Sequence, residues 1–186
     1  MTVIVQGSGQ SSGQSSGQGA DRSAVEPALI ALGRRPGVGP RTDELWRLPG
    51  FCWNARVTTS FGDMPVQGLR LRDPLRGPQG DITPVAWVDE VHLDEDFLHY
   101  YPDSQPVVIR AGALGPGRPK ADLTVSPAQR INVSPTPFGQ DLRPARDLTG
   151  RPGVQRAAST GLTYYLFHCG RPTTVLVEGI ALPVQP

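Results

Sequence analysis

The side chains with the greatest potential for covalent chemistry in this chain are two cysteines and a histidine. Cys52 lies between Phe51 and Trp53, and His168 directly precedes Cys169. A thiol whose proton is taken by a neighbouring base is a strong nucleophile, so Cys52 alone, or His168 with Cys169, is a candidate catalytic group. A free cysteine among aromatic residues also commonly packs as a small apolar side chain. Both interpretations stay open from these residues alone.

Two further patterns suggest ligand binding, and neither has the spacing that such a site requires. The acidic stretch comprises Asp89, Glu90, His92, Asp94, Glu95, Asp96 and His99. It has neither the HExxH pattern of zinc enzymes nor the calcium-loop pattern, so a solvated loop is expected. The segment GALGPGRPK resembles a phosphate loop, but Pro116 removes a backbone amide and no GK[ST] follows. We therefore predict no metal and no cofactor.

Charge and hydropathy exclude several classes of function. The 186 residues carry 18 Lys and Arg against 17 Asp and Glu. This balance gives no strong electrostatic attraction to nucleic acid or to a membrane surface. No apolar run is long enough to span a bilayer, and the N-terminus lacks the basic start of a signal peptide. We expect a monomer whose partner, if any, is a protein. Its location is left open between the cytoplasm and export without a cleaved signal peptide.

The first 49 residues have the composition of a tail. Residues 7–19 repeat the letters GQSS and contain nothing to bury, which is typical of a flexible linker. A capping pattern at Ser23 predicts a short helix. Residues 42–48 have the pattern of two further turns, which would dock Trp46 and Leu48 on the domain. We predict a disordered, low-complexity tail with one or two short helices, followed by a domain over residues 50–186.

From residue 50 onward, short apolar segments alternate with turn signals, which is typical of an all-β domain. The predicted strands are 56–60, 68–72, 83–91, 107–110, 123–125, 130–134, 163–167 and 173–178. Short helical turns are expected at 94–101 and 144–148. The predicted core consists of Val57, Leu69, Leu71, Val85, Trp87, Val108, Ile109, Leu123, Val125, Ile131, Leu166, Val175 and Val177.

Four segments carry motifs that are more specific together than any one alone. IRAGALGPGRPKADLTVSPAQR at residues 109–130 is the most distinctive. ARVTTSFGDMPVQGLRLRD at 55–73 and ITPVAWVDEV at 82–91 precede it, and LTYYLFHCGRPTTVLVEGI at 162–180 follows it. In these motifs and in their order, the chain resembles a divergent bacterial Hint (hedgehog/intein) domain. The resemblance implies a strongly curved, antiparallel β domain.

The resemblance also implies self-cleavage chemistry. In Hint domains a Cys or Ser at the first position attacks the preceding carbonyl. A central Ser or Thr and a central His supply hydrogen bonds and a proton to the departing nitrogen of the scissile amide. Ser126 stands at the central hydroxyl position, but Gln129 stands at the His position, and an amide cannot shuttle a proton. An alignment with the family motif that contains no gap places the first position at Gly50. Cys52 can take that role only if the first turn is two residues shorter.

The closing motif departs from the family as well. Leu166 and Pro172 stand where the family usually has His, and residues 183–184 are Pro-Val where splicing inteins have His-Asn. We therefore predict a catalytically inactive Hint domain that acts as a β scaffold or an interaction module. It would then not be an enzyme.

A rival interpretation is a working autoprotease that cuts between Phe51 and Cys52, with Cys52 as its nucleophile. No constellation supports an enzyme that acts on a separate substrate. The resemblance further implies that Cys52 and Cys169 lie at the same end of the domain, and it leaves open whether they are bonded.

Overall fold

The computed structural model describes residues 2–5 as backbone, and residues 46–136 and 139–186 with their side chains. The linker predicted at 7–19 and the helix expected from Ser23 lie outside the described residues. The strands are β1 Thr2–Val5, β2 Arg56–Thr59, β3 Gly62–Pro65, β4 Pro74–Arg76, β5 Ile82–Pro84, β6 Trp87–Leu93, β7 Val107–Ile109, β8 Leu123–Val125, β9 Arg130–Asn132, β10 Leu142–Pro144, β11 Val154–Arg156, β12 Leu162–His168, β13 Thr173–Val177 and β14 Ile180–Val184.

Short helical turns connect some of these strands. Helix α1, Glu95–Tyr100, begins after Asp94, whose carboxylate accepts a hydrogen bond from the Phe97 amide at 2.8 Å. Three 3-10 turns lie at Val66–Gly68, Pro102–Ser104 and Ala145–Leu148. The predicted all-β class with short helical turns is confirmed. No helix among the described residues is long and apolar enough to cross a membrane.

The strands form small sheets that are antiparallel in every described pair but one. One sheet has the order β14-β13-β2-β4-β5, with β3 paired to β2, and a second has the order β11-β7-β8. A third has the order β1-β6-β12, in which β1 runs parallel to β6. Strand β1 lies inside the predicted tail; its Val-Ile-Val run has the β-branched composition that favours extended backbone.

Two predicted strands differ from the structure. Residues 68–72 form the end of a 3-10 turn and a loop, and Leu71 is 59% exposed because no strand alternation directs it inward. The predicted strand 83–91 is two strands separated at Val85 and Ala86. The Val85 amide donates to the carbonyl of Asp73, the residue before β4, whereas the Ala86 amide donates to the carbonyl of His168 in β12. The chain therefore crosses between two sheets at this point.

The buried side chains form two clusters. The main cluster lies under β2, β7, β8, β13 and β14, and it contains most of the predicted core. Trp87, Val108 and Leu166, which were expected in the core, are half-buried. A smaller cluster consists of Trp46, Leu48, Cys52, Val91, Leu93, Phe97, Leu98 and Tyr164. Two of its members, Trp46 and Leu48, precede the predicted domain boundary.

Candidate functional site

The segment Trp46–Phe51, called the incoming segment here, enters the fold between β12 and the end of β8. Phe51 exchanges two backbone hydrogen bonds with Tyr165 of β12, at 3.0 and 2.8 Å. On its other side Phe51 bridges Val125 of β8. Burial alternates along the segment, so that Trp46, Leu48 and Gly50 face inward. This alternation is that of an extended strand.

Polar contacts on both sides of its backbone fix Trp46 in place. Its amide donates to the Asp103 carboxylate at 2.9 Å, and its carbonyl accepts from the Arg146 guanidinium at 2.8 Å. The Trp46 ring packs edge-on against Phe97, with centroids 5.9 Å apart, and at 6.2 Å from Tyr164. The helical turns predicted up to Leu48 are not formed from Trp46 onward, where the backbone is extended. The predicted docking of Trp46 and Leu48 on the domain is confirmed.

Ser126 connects the incoming segment to the turn after β8. Its buried hydroxyl donates to the Leu48 carbonyl at 2.5 Å. The same oxygen accepts from Trp46 Nε1 at 3.1 Å and from the Ala128 amide at 3.2 Å. A serine hydroxyl has one proton to donate and two lone pairs to accept with, so all of its capacity is used.

Gln129 binds the backbone of Gly50. The Gly50 amide donates to Gln129 Oε1 at 3.1 Å, and Gln129 Nε2 donates to the Arg130 carbonyl at 3.2 Å. The Gly50 carbonyl accepts from the Ser126 amide at 2.9 Å. Gln129 therefore faces the amide nitrogen of the Pro49–Gly50 bond as an acceptor, and an acceptor at this place does not protonate that nitrogen.

Space beside Gly50 is restricted. A Cβ atom built on Gly50 would lie 2.9 Å from the Cβ of Tyr164 and 3.4 Å from the Tyr165 carbonyl oxygen. Contacts below 3.0 Å force a neighbour to move, and Tyr164 is fully buried. Any side chain at position 50, a nucleophile included, requires a shift of β12.

Cys52 lies two residues further, in the smaller cluster. Its amide donates to the Thr124 carbonyl at 2.9 Å, so it continues the pairing with β8. The thiol packs near Trp46, Leu48 and Tyr164 and is 5% exposed. Burial raises the pKa of the Cys52 thiol to about 12. At neutral pH such a thiol stays protonated and is a poor nucleophile.

His168 is the last residue of β12, and Cys169 directly follows it. The His168 ring stacks on Trp87 with centroids 5.1 Å apart, and its Nδ1 accepts from the Gly170 amide at 3.0 Å. Partial burial lowers the pKa of His168. Cys169 packs in the main cluster, where burial raises the pKa of its thiol. The described hydrogen bond of His168 is thus made with Gly170 and not with Cys169.

The two cysteines lie in separate clusters, and both thiols are free. The structure therefore contains no disulfide between them. That the domain brings the two cysteines to the same end stays a prediction.

A cleft of about 350 Å³ opens between the incoming segment, the turn after β8, β12 and the end of the chain. Gly50, Gln129 and His168 contribute to its wall, whereas Cys52 and Cys169 do not. Among the described residues, no three His, Cys, Asp or Glu side chains are grouped so that they could hold a metal ion.

A sequence profile described as the Hint domain matches residues 49–182. The chain belongs to this family. The match begins one residue before Gly50. No curated protein matches the chain.

Solved structures similar to this Hint domain include three inteins or intein-like domains. The MchDnaB-1 intein is 11% identical, covers 73% of this chain and 99% of its own, and has a TM-score of 0.47. The Msm DnaB1 intein splicing domain bound with zinc is 17% identical over 73% and 99%, with a TM-score of 0.46. A bacterial intein-like domain from Clostridium thermocellum is 8% identical over 74% and 99%, with a TM-score of 0.44.

In this Hint domain the structure brings Ser126 and Gln129 to the backbone on either side of Pro49. Their roles in any reaction, like those of Cys52, His168 and Cys169, stay predictions. Sequence reasoning did not find Asp103 and Arg146, which bind the incoming segment from 57 and 100 residues away. No local motif marks them, because an Asp–Arg pair at such separation is visible only after folding.

Proposed function

We propose that this Hint domain no longer cleaves its own backbone and serves as a rigid β scaffold that holds the polypeptide preceding it. The observation that carries the proposal is the environment of Gly50. Its amide is bound by Gln129 and its carbonyl by the Ser126 amide, and it has no side chain to attack the Pro49 carbonyl. The position that the family uses for its nucleophile is thus occupied by a residue without one.

Proton transfer at the Pro49–Gly50 bond is missing as well. Gln129 accepts a hydrogen bond from the Gly50 amide, and a side-chain amide does not titrate. Loss of a positioned general acid typically costs about 10² to 10⁴ in rate. With neither nucleophile nor acid, cleavage at this bond has no catalytic route.

The incoming segment supports a scaffold role. Trp46 and Leu48 belong to the smaller core cluster, and their backbone is bound by Asp103, Arg146 and Ser126. In a self-cleaving domain, the residues before the scissile bond depart. Here their departure would open a core cluster, so they act as part of the domain.

The second candidate function is cleavage between Phe51 and Cys52, and the presence of a free thiol at Cys52 favours it. Against it, the Phe51 carbonyl accepts from Tyr165 and the Cys52 amide donates to Thr124, so this peptide is held in regular strand pairing. The thiol is also buried, with its pKa raised to about 12.

Intact-mass spectrometry separates the two candidates. The full chain, incubated with excess dithiothreitol at pH 8 for a day, should keep its full mass. Gln129→His should also stay uncut, because Gly50 still lacks a nucleophile. Fragments that split between Phe51 and Cys52 in the wild type, and that are absent in Cys52→Ala but present in Cys169→Ala, would establish the autoprotease instead.

A further inference from the structure

The cleft at Gly50 has one apolar wall and no acidic side chain among the described residues that line it. The half-buried Leu166 and Trp87, the latter stacked on His168, line it, whereas Phe51 and Phe167 are nearly fully buried behind it. Its volume of about 350 Å³ lies at the lower end of the range for small-molecule sites, about 300 to 1,000 Å³. The space therefore suits a small ligand with an apolar body.

Two exposed arginines, Arg47 and Arg130, line this cleft. Arg47 comes from the incoming segment, where it lies between the inward-facing Trp46 and Leu48, and Arg130 begins β9. Both are exposed, and neither makes an ion pair with any residue that the structure describes. Four other arginines, Arg110, Arg143, Arg146 and Arg156, each pair with an aspartate.

A second cleft, of about 290 Å³, provides an internal comparison. It shares Tyr165, Leu166 and Phe167 with the first cleft, but Asp89 and Glu90 line it. The two clefts beside the same stretch of β12 thus differ in the sign of their charged side chains. An anion is favoured in the first and disfavoured in the second.

We propose that the cleft at Gly50 binds a small organic carboxylate with an aromatic or aliphatic body. The body lies against Trp87 and Leu166, and the carboxylate lies between Arg47 and Arg130. Guanidinium groups bind carboxylates through paired, charge-assisted hydrogen bonds. This binding rests on the proposed function, because a cleft that does not process the chain is free to hold a ligand.

The experiment titrates 2-naphthoate into the ¹⁵N-labelled full chain and follows the indole N–H signal of Trp87, assigned with Trp87→Phe. The uncharged analogue 2-naphthamide is titrated in parallel. Naphthoate should shift the Trp87 signal in a saturable way, and naphthamide should bind at least tenfold more weakly. The Arg47→Gln/Arg130→Gln variant should lose at least tenfold in naphthoate affinity, whereas Arg76→Gln, an exposed arginine on β4, should bind as the wild type does.

Three results would overturn the proposal. They are no saturable shift of Trp87, equal affinity for naphthoate and naphthamide, and unchanged naphthoate affinity in the double variant. The comparison of the two probes needs no variant, so it stands even if a substitution disturbs folding. The intact mass of the same samples is measured as well: absent binding in an uncut chain refutes only the ligand, whereas a cut chain refutes the proposed function.

Discussion

At the scale of single residues, Ser126 joins the incoming segment to the turn after β8. Its hydroxyl makes three hydrogen bonds, to Leu48, Trp46 and Ala128, and these use its one proton and both lone pairs. Ser126 therefore holds the incoming segment in place.

The Ser126→Ala substitution should lower the free energy of unfolding by about 1 to 3 kcal/mol, because it leaves buried polar atoms of three residues without a partner. Urea unfolding followed by tryptophan fluorescence measures the change. Ser60→Ala is the matched control, since the Ser60 hydroxyl is buried without a hydrogen-bond partner among the described residues. Its removal should cost less than 0.5 kcal/mol. An equal loss of unfolding free energy in the two variants would contradict the structural role of the Ser126 hydroxyl.

At the scale of elements, the incoming segment acts as an additional strand beside β12. Its backbone pairs with Tyr165 and its apolar side chains complete the smaller cluster. Asp103 joins it to two other elements, because its carboxylate also pairs with Arg146 at 3.3 Å and Arg156 at 2.5 Å. The segment is therefore tied to parts of the fold that are far apart in sequence.

The Trp46→Ala substitution should lower the free energy of unfolding by about 3 to 5 kcal/mol, since it removes a large buried side chain. Trp46→Phe keeps an aromatic ring and loses mainly the hydrogen bond to Ser126, so it should cost less, about 1 kcal/mol beyond the packing change. The unfolding midpoint in urea reports both. If Trp46→Ala costs less than 1 kcal/mol, the incoming segment is not part of the folded unit.

At the scale of the whole molecule, one histidine and three aspartates have a lower pKa in the folded protein than their ordinary value. Partial burial lowers the pKa of His168 below its ordinary value of 6.5, and hydrogen bonds and nearby cations lower the pKa of Asp63, Asp122 and Asp141 below 3.8. Each group binds its proton more weakly in the folded state than in the unfolded state. Folding stability therefore rises with pH across both ranges.

Acidification should destabilise the domain in two steps. As the pH falls below about 6.5, unfolded chains take up a proton at His168 first, and the stability that its neutral form provides is lost. The carboxyl groups follow below about 3.8. Thermal midpoints between pH 8 and pH 3 check this order, and His168→Gln should remove the first step and leave the second. A midpoint that rises between pH 7.5 and pH 5.5 would show that the sign is wrong.

Local patterns in the sequence were enough to predict the all-β class, most of the main cluster and the family. Alternating apolar residues and turn signals act over a few positions, and the motifs around Ser126 and Gln129 are contiguous. The same locality explains the errors, such as the undivided strand at 83–91, where a change of sheet at Val85 and Ala86 has no short-range signal.

Only the tertiary structure decided how the incoming segment is held. Phe51 pairs with Tyr165, and Trp46 is bound by Ser126, Asp103 and Arg146. These contacts join residues 57 to 114 positions apart. Their geometry depends on how the sheets pack against one another, and the spacing of residues along the chain carries no record of that packing.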